Sequence, residues 1–157
     1  MAGASTDTAT ARSLRVLVAD DCAALRKRVC SELNEAGLTV VGEAADGAQA
    51  LTQAAAHHPD VVLMDLRMPR MDGIEATQIL RLQQPDAQVV LWTGDDHEQL
   101  DRAVRKSGAQ VGVLKGVGTG ELVATLRMVC DVQDGTRTLT AGHDGQAPAR
   151  PFDVPQA

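Results

Sequence analysis

The chain has 157 residues, 44 % of them hydrophobic and only 1 % aromatic, with a formal net charge of −6. That length carries one domain with its own core, and a core this poor in aromatic residues must be built from Val, Leu, Ile, Ala and Met. The acidic balance lacks the electrostatic footprint of a nucleic-acid binder, no apolar run approaches the ~20 residues that span a bilayer, and the small, polar residues 1–12 contain no apolar stretch of signal-peptide type. Three cysteines, Cys22, Cys30 and Cys130, at irregular spacing suggest neither a disulfide framework nor a zinc site. A reducing cytoplasm is the expected setting.

In chain order, short apolar runs alternate with helical patterns. Val16–Ala19 is the first run, followed by an amphipathic stretch with Leu25, Val29 and Leu33, closed by Gly37. Val40-Val41 leads to Asp46-Gly47, which opens a second helix ending before Pro59. Val61–Met64 is the third run, and Asp72-Gly73 starts the helix that carries Ile74, Ile79 and Leu80. Val89–Trp92 is the fourth, followed by a helix capped by Asp95 or Asp96. Val111–Leu114 is the fifth, and Thr119 or Gly120 opens a last helix whose pattern fades after Asp131. Continuous apolar runs are the mark of strands covered on both faces, and strand–helix alternation predicts a doubly wound α/β fold around a five-stranded parallel sheet. The expected organisation is a disordered segment over 1–12, one domain over 13–132, and a flexible tail or truncated linker over 133–157.

A few polar residues interrupt this apolar plan. Asp20 and Asp21 follow the first strand, Asp65 ends the third, Thr93 follows the fourth and Lys115 ends the fifth. Parallel strands present their carboxyl ends at one edge of the sheet, where open α/β sheets bind ligands, so these side chains should converge. Clustered carboxylates repel one another unless a cation joins them, and an all-oxygen set favours a hard ion such as Mg²⁺. A carboxylate is also a nucleophile competent to form an acyl phosphate. Phosphoryl transfer then needs charge on the equatorial oxygens neutralised, which suits the Lys115 ammonium, the Thr93 hydroxyl and the Gly94 N–H.

The segments Val18-Ala19-Asp20-Asp21, Asp65 to Gly73, Trp92-Thr93-Gly94 and Leu114-Lys115, in this order and spacing, resemble the receiver domain of two-component response regulators over roughly residues 14–131. The stretch Val41 to Gly47, with Gly116 after the lysine and Thr119-Gly120-Glu121-Leu122, is most similar to receivers joined to LuxR/NarL-type DNA-binding domains. The resemblance implies a flavodoxin-like (βα)5 fold with strand order 2-1-3-4-5. It implies Asp65 as phospho-acceptor and member of the Mg²⁺ site, Asp21 as a direct Mg²⁺ ligand, Asp20 as a ligand through water, and the Arg67 backbone carbonyl as the one that completes the set. Thr93 and Lys115 would read the phosphoryl group. The donor would be a phosphohistidine on a sensor histidine kinase. The chain would not be a metabolic enzyme, its chemistry being confined to self-phosphorylation and autodephosphorylation. Homodimerisation would use residues 95–131, and this chain would itself contact neither nucleic acid nor membrane.

The sequence departs from the family's pattern at Gly112, three residues before Lys115, where receivers usually carry the Tyr or Phe that couples the threonine to the output face. A LuxR-type output domain needs about 60 further residues with helical periodicity, more than 133–157 offers. A phosphorylation-independent interaction module is therefore the alternative reading. A phosphatase with an aspartyl nucleophile is disfavoured, because Cys22 stands where such enzymes place an acid two residues after the first aspartate. The neighbouring pair His57-His58 faces two directions on a helix and reads as a helix end rather than a metal pair, and Arg26-Lys27-Arg28 reads as a solvated basic face.

Overall fold

The computed structural model describes residues 12–141, with side chains described for 12–131. Five strands alternate with five helices: β1 (Arg15–Ala19), α1 (Ala23–Glu35), β2 (Thr39–Ala44), α2 (Gly47–His57), β3 (Val61–Asp65), α3 (Gly73–Gln83), β4 (Gln88–Thr93), α4 (His97–Ser107), β5 (Val111–Leu114) and α5 (Thr119–Ala141). The strands form one parallel sheet in the order β2-β1-β3-β4-β5, as the alternation predicts. The chain starts in the middle of the sheet, winds to β2 at one edge, and returns through β3 to the other edge. The order reverses between β1 and β3, and that switch point is where side chains from two strand ends face an open crevice.

The period-two alternation of each strand divides the core into two layers. Leu17, Ala19, Val62, Met64, Val89 and Leu91 point to one face and pack under α2, α3 and α4 through Ala50, Ala54, Ala76, Leu80, Leu100 and Ala103. Val16, Val18, Leu63, Val90, Trp92 and Val113 point to the other, against Val29 and Leu33 of α1 and Leu122 and Leu126 of α5. Central strand β3 is buried along its whole length, which explains why it reads as an unbroken apolar run closed by an aspartate.

Helix starts follow local capping chemistry. Asp46, Asp72 and Asp96 each accept a hydrogen bond from the backbone N–H three residues on, at 2.8, 2.9 and 2.9 Å. Of the two candidates for α4, the cap is therefore Asp96. Helix α1 differs. Its N-cap is Cys22 and no side chain caps it, so Asp20 and Asp21 are free of that duty. Its end passes through Gly37 at φ 93°, a left-handed conformation that glycine adopts without strain. The second strand is longer than Val40-Val41 and contains a bulge, where the register steps from Val16↔Val40 to Leu17↔Gly42. Helix α5 runs on to Ala141, so residues 133–141 are helical where the sequence shows no periodicity. The segments 1–11 and 142–157, expected as a disordered start and a tail or linker, lie outside the described residues.

A candidate phospho-acceptor and cation site at the sheet's carboxyl edge

Four of the expected side chains meet. Asp20 leaves the end of β1 and is fully buried, Asp65 ends β3 at 3 % exposure, and Asp21 is exposed at the rim. Carboxylate oxygens of the three lie within 4.8 Å of one another. Lys115, reaching in from the end of β5, places Nζ 2.9 Å from Asp20 Oδ2 and 3.2 Å from Asp65 Oδ1. Its backbone N–H donates to the Thr93 carbonyl at 2.8 Å, which fixes where the lysine leaves the sheet.

Asp20 is held from several sides. Its Oδ1 accepts from the Cys22 N–H at 2.8 Å, its own N–H donates to the Ala44 carbonyl at 2.9 Å, and Arg26 Nη1 donates to its carbonyl oxygen at 2.7 Å. Arg26 Nε also donates to Glu43 at 2.9 Å, so this member of the basic run is a clamp between α1, β1 and β2 rather than part of a solvated face. Nothing in the spacing of Arg26 distinguishes it from Lys27 and Arg28; only its phase on α1 relative to Cys22 carries the signal.

Gly73 brings α3 close behind Asp65. Its N–H donates to the Leu66 carbonyl at 2.9 Å, and a Cβ at this position would collide with the Asp65 carbonyl oxygen. In the intervening loop Arg67 Nε pairs with Asp95 at 2.7 Å and Nη2 donates to Gln99 at 2.9 Å, tying the β3–α3 loop to the start of α4. Arg70, left-handed at φ 66°, pairs through Nη2 with Asp46 at 2.6 Å. These two ties, which the sequence does not announce, fix both ends of the loop after Asp65. Thr93 is buried at the end of β4, one residue past the ladder partner of Asp65, and its hydroxyl accepts from the Asp95 N–H at 3.2 Å. Beside the acidic cluster a groove of about 810 Å³ runs between the β3–α3 loop and α4, lined by Asp21, Arg67, Gln99, Arg102 and Lys106 among others.

The electrostatics follow from this crowding. Burial pushes the Asp65 carboxyl up to about 6, the Asp20 charge adds to the rise, and Lys115 opposes it. Burial alone would depress the Lys115 ammonium, but the hydrogen bond to Asp20 and the charges of Asp65 and Asp20 outweigh it and hold the group above its ordinary value. Three carboxylates against one ammonium leave an excess of negative charge at a cluster that offers only oxygen ligands. The donor set fits a hard divalent cation such as Mg²⁺, with Asp20, Asp21 and Asp65 as the residues able to hold it.

At Gly112 the structure shows what replaces the expected ring. Leu100 of α4 lies directly over this glycine, and a Cβ there would stand 2.5 Å from Leu100 Cδ1. The leucine is buried in the core layer under α4, against which Leu114 of β5 also packs.

Residues 16–127 match the response regulator receiver domain family. The chain belongs to that family. The receiver is 36 % identical over 128 residues to the transcriptional regulatory protein PdtaR of Mycobacterium tuberculosis, covering 82 % of this chain and 62 % of that protein. It is 38 % identical over 117 residues to the response regulator GacA of Pseudomonas aeruginosa, covering 74 % of this chain and 55 % of GacA. The chain thus spans about three-fifths of the length of these curated relatives. Among solved structures, it resembles the signal receiver domain of the response regulator NarL from Mycobacterium tuberculosis with a TM-score of 0.71 at 33 % identity, covering 77 % of this chain and 98 % of that one. The similarity to the NarL receiver agrees with the LuxR/NarL-type likeness of the Val41–Gly47 segment.

The remaining sequence candidates fall outside the site. His57 lies in the last turn of α2 and His58 caps it in the left-handed region. Neither belongs to the one cation-type cluster found among the described residues. Cys30 is buried, and burial together with the Glu43 charge pushes its thiol up to about 11, as befits a small core residue. No helix among the described residues is long and apolar enough to cross a membrane.

Proposed function

We propose that this receiver accepts a phosphoryl group on Asp65 from a phosphohistidine of a sensor histidine kinase and, in that state, changes its affinity for a partner or an output domain. The observation that carries the reading is the buried Asp65 carboxylate facing both Lys115 and two further carboxylates at the sheet's switch point. In the forward step an Asp65 carboxylate oxygen attacks phosphorus in line. The new O–P bond forms as the P–N bond of the phosphoimidazole breaks, and the imidazole leaves with its electron pair and takes a proton. Hydrolysis later returns the carboxylate as water attacks phosphorus.

Asp20, Asp21, Asp65 and the Arg67 backbone carbonyl would hold Mg²⁺. When bound, the cation would supply positive charge to offset the repulsion between this acidic cluster and a phosphoryl group. Lys115 contributes the second positive charge, and Asp20 keeps it aimed at Asp65. The Thr93 hydroxyl and the Gly94 N–H are assigned to the remaining phosphoryl oxygens, and because Thr93 only accepts in its bond from the Asp95 N–H, its O–H is free to donate. The Arg67–Asp95 pair ties the β3–α3 loop to the segment between Thr93 and α4. Homodimerisation through residues 95–131, a cytoplasmic location and regulation of transcription through a partner or a DNA-binding domain complete the reading. The boundaries 13–132 for the phospho-acceptor domain belong to it as well.

The test is the intact mass of the protein after incubation with acetyl phosphate. A single phosphoryl adduct that needs Mg²⁺ and is absent from Asp65→Asn is the expected result. Folded, Mg²⁺-binding protein that gains no adduct from acetyl phosphate or from a phosphorylated kinase would instead leave the phosphorylation-independent interaction module, for which the Leu100–Gly112 packing in place of an aromatic ring is the supporting feature.

A further inference from the structure

Trp92 is the only Trp, Tyr or Phe among residues 12–131, in a core otherwise aliphatic. It is 3 % exposed, and its indole Nε1 has no hydrogen-bond partner among the described residues. A buried N–H without an acceptor is a cost that Leu or Met at the same place would avoid, so packing alone is a poor account of this residue. Its position is more informative. Trp92 is the ladder partner of Asp65 on β3 and of Val113 on β5, two residues before Lys115. Register partners in a parallel sheet point to the same face, which puts the indole beside the acceptor carboxylate and beneath the lysine's path. The Lys115 ammonium lies 5.2 Å from the ring centroid, within the range of a cation–π contact, while it also touches Asp20 and Asp65.

We propose that Trp92 is a positioning residue: the face of its ring holds the Lys115 ammonium over the end of β3, where it meets the group transferred to Asp65. Two carboxylates pull the ammonium from above, and the ring limits how far the flexible lysine stem follows either one. The role rests on the phospho-acceptor reading and acts through Lys115, without contact between indole and phosphoryl group.

The test uses the full chain, which contains only three lysines, Lys27, Lys106 and Lys115. In protein labelled with ¹³C-lysine, the Lys115 Cε–H signals, identified by their loss in Lys115→Met, are expected well upfield of the other two through the ring current. They move to the ordinary lysine position in Trp92→Leu and stay partly shifted in Trp92→Phe. Acetyl phosphate with Mg²⁺ should form the adduct about tenfold more slowly in Trp92→Leu, with Trp92→Phe recovering most of that loss. Unshifted Lys115 signals in the wild type, or equal rates for the Leu and Phe variants, would overturn the proposal. Should Trp92→Leu not fold, the wild-type lysine spectrum decides. Should the wild type form no adduct, the acceptor reading fails, and the lysine spectrum still tests the contact by itself.

Discussion

Asp65 is a carboxylate placed where its charge is disfavoured, and that has a measurable sign. Its ordinary value of 3.8 is raised to about 6 by burial first and by Asp20 second. The folded chain therefore binds this proton more tightly than the unfolded chain. Without Mg²⁺ the resulting stabilisation is present at pH below about 4 and is lost as pH rises through about 6. Asp65→Asn removes the ionisation, so in EDTA at pH 7.5 it should be more stable to urea than the wild type by on the order of 2 kcal/mol, the opposing effect of Lys115 being already contained in the rise to about 6. At pH 4 the two should unfold together. A variant less stable than wild type at pH 7.5 would mean that the Asp65 charge is not disfavoured in the fold. The acidic residues of this site were legible in the sequence because each interrupts an apolar run at a strand end. Arg26 and Trp92 were not, because a basic residue on a helix and an apolar residue in a strand are ordinary there; only the folded positions give them partners.

The elements were legible for a related reason. Continuous runs such as Val61–Met64 leave little room for any other assignment, and Asp-Gly and Asp-Asp pairs mark the helix starts. What escaped were two features set by another element, the bulge in β2 and the packing of Leu100 on Gly112, together with the continuation of α5 to Ala141. The Leu100–Gly112 packing predicts a size limit. Gly112→Ala places a methyl against the buried Leu100 side chain and should cost about 1–3 kcal/mol in chemical denaturation, with Leu100→Val in the same chain recovering part of it. Gly73→Ala should behave differently. Its neighbour is the Asp65 backbone carbonyl, which no side-chain rotation can move. It should destabilise more than Gly112→Ala, and no substitution at Leu100 should rescue it.

Across the whole molecule, three strand ends from distant positions in the chain meet because parallel winding aims them at one edge. A cation bound where they converge would bind the folded chain only, so its binding would be linked to folding. At a Mg²⁺ concentration a hundred times its dissociation constant the native state should gain about 2.7 kcal/mol, seen as a concentration-dependent rise in the unfolding temperature, and Asp21→Asn should need more Mg²⁺ for the same rise. A wild type indifferent to Mg²⁺ would remove the cation from the account. Association belongs to this scale too: beryllofluoride with Mg²⁺ should shift solution scattering from monomer toward dimer if residues 95–131 form the phosphorylation-dependent surface, and an unchanged profile would count against that surface.

The measurement closest to the central claim is the location of the phosphoryl group. Protein treated with acetyl phosphate and Mg²⁺, reduced with borohydride and digested, should carry homoserine at residue 65, because borohydride reduces the acyl phosphate of an aspartate to the alcohol. Homoserine in the peptide spanning Val61–Asp65, and in no other, is the predicted result. Modification at Asp20 or Asp21 instead, or an adduct that survives reduction as a phosphoester on a hydroxyl, would contradict Asp65 as the acceptor.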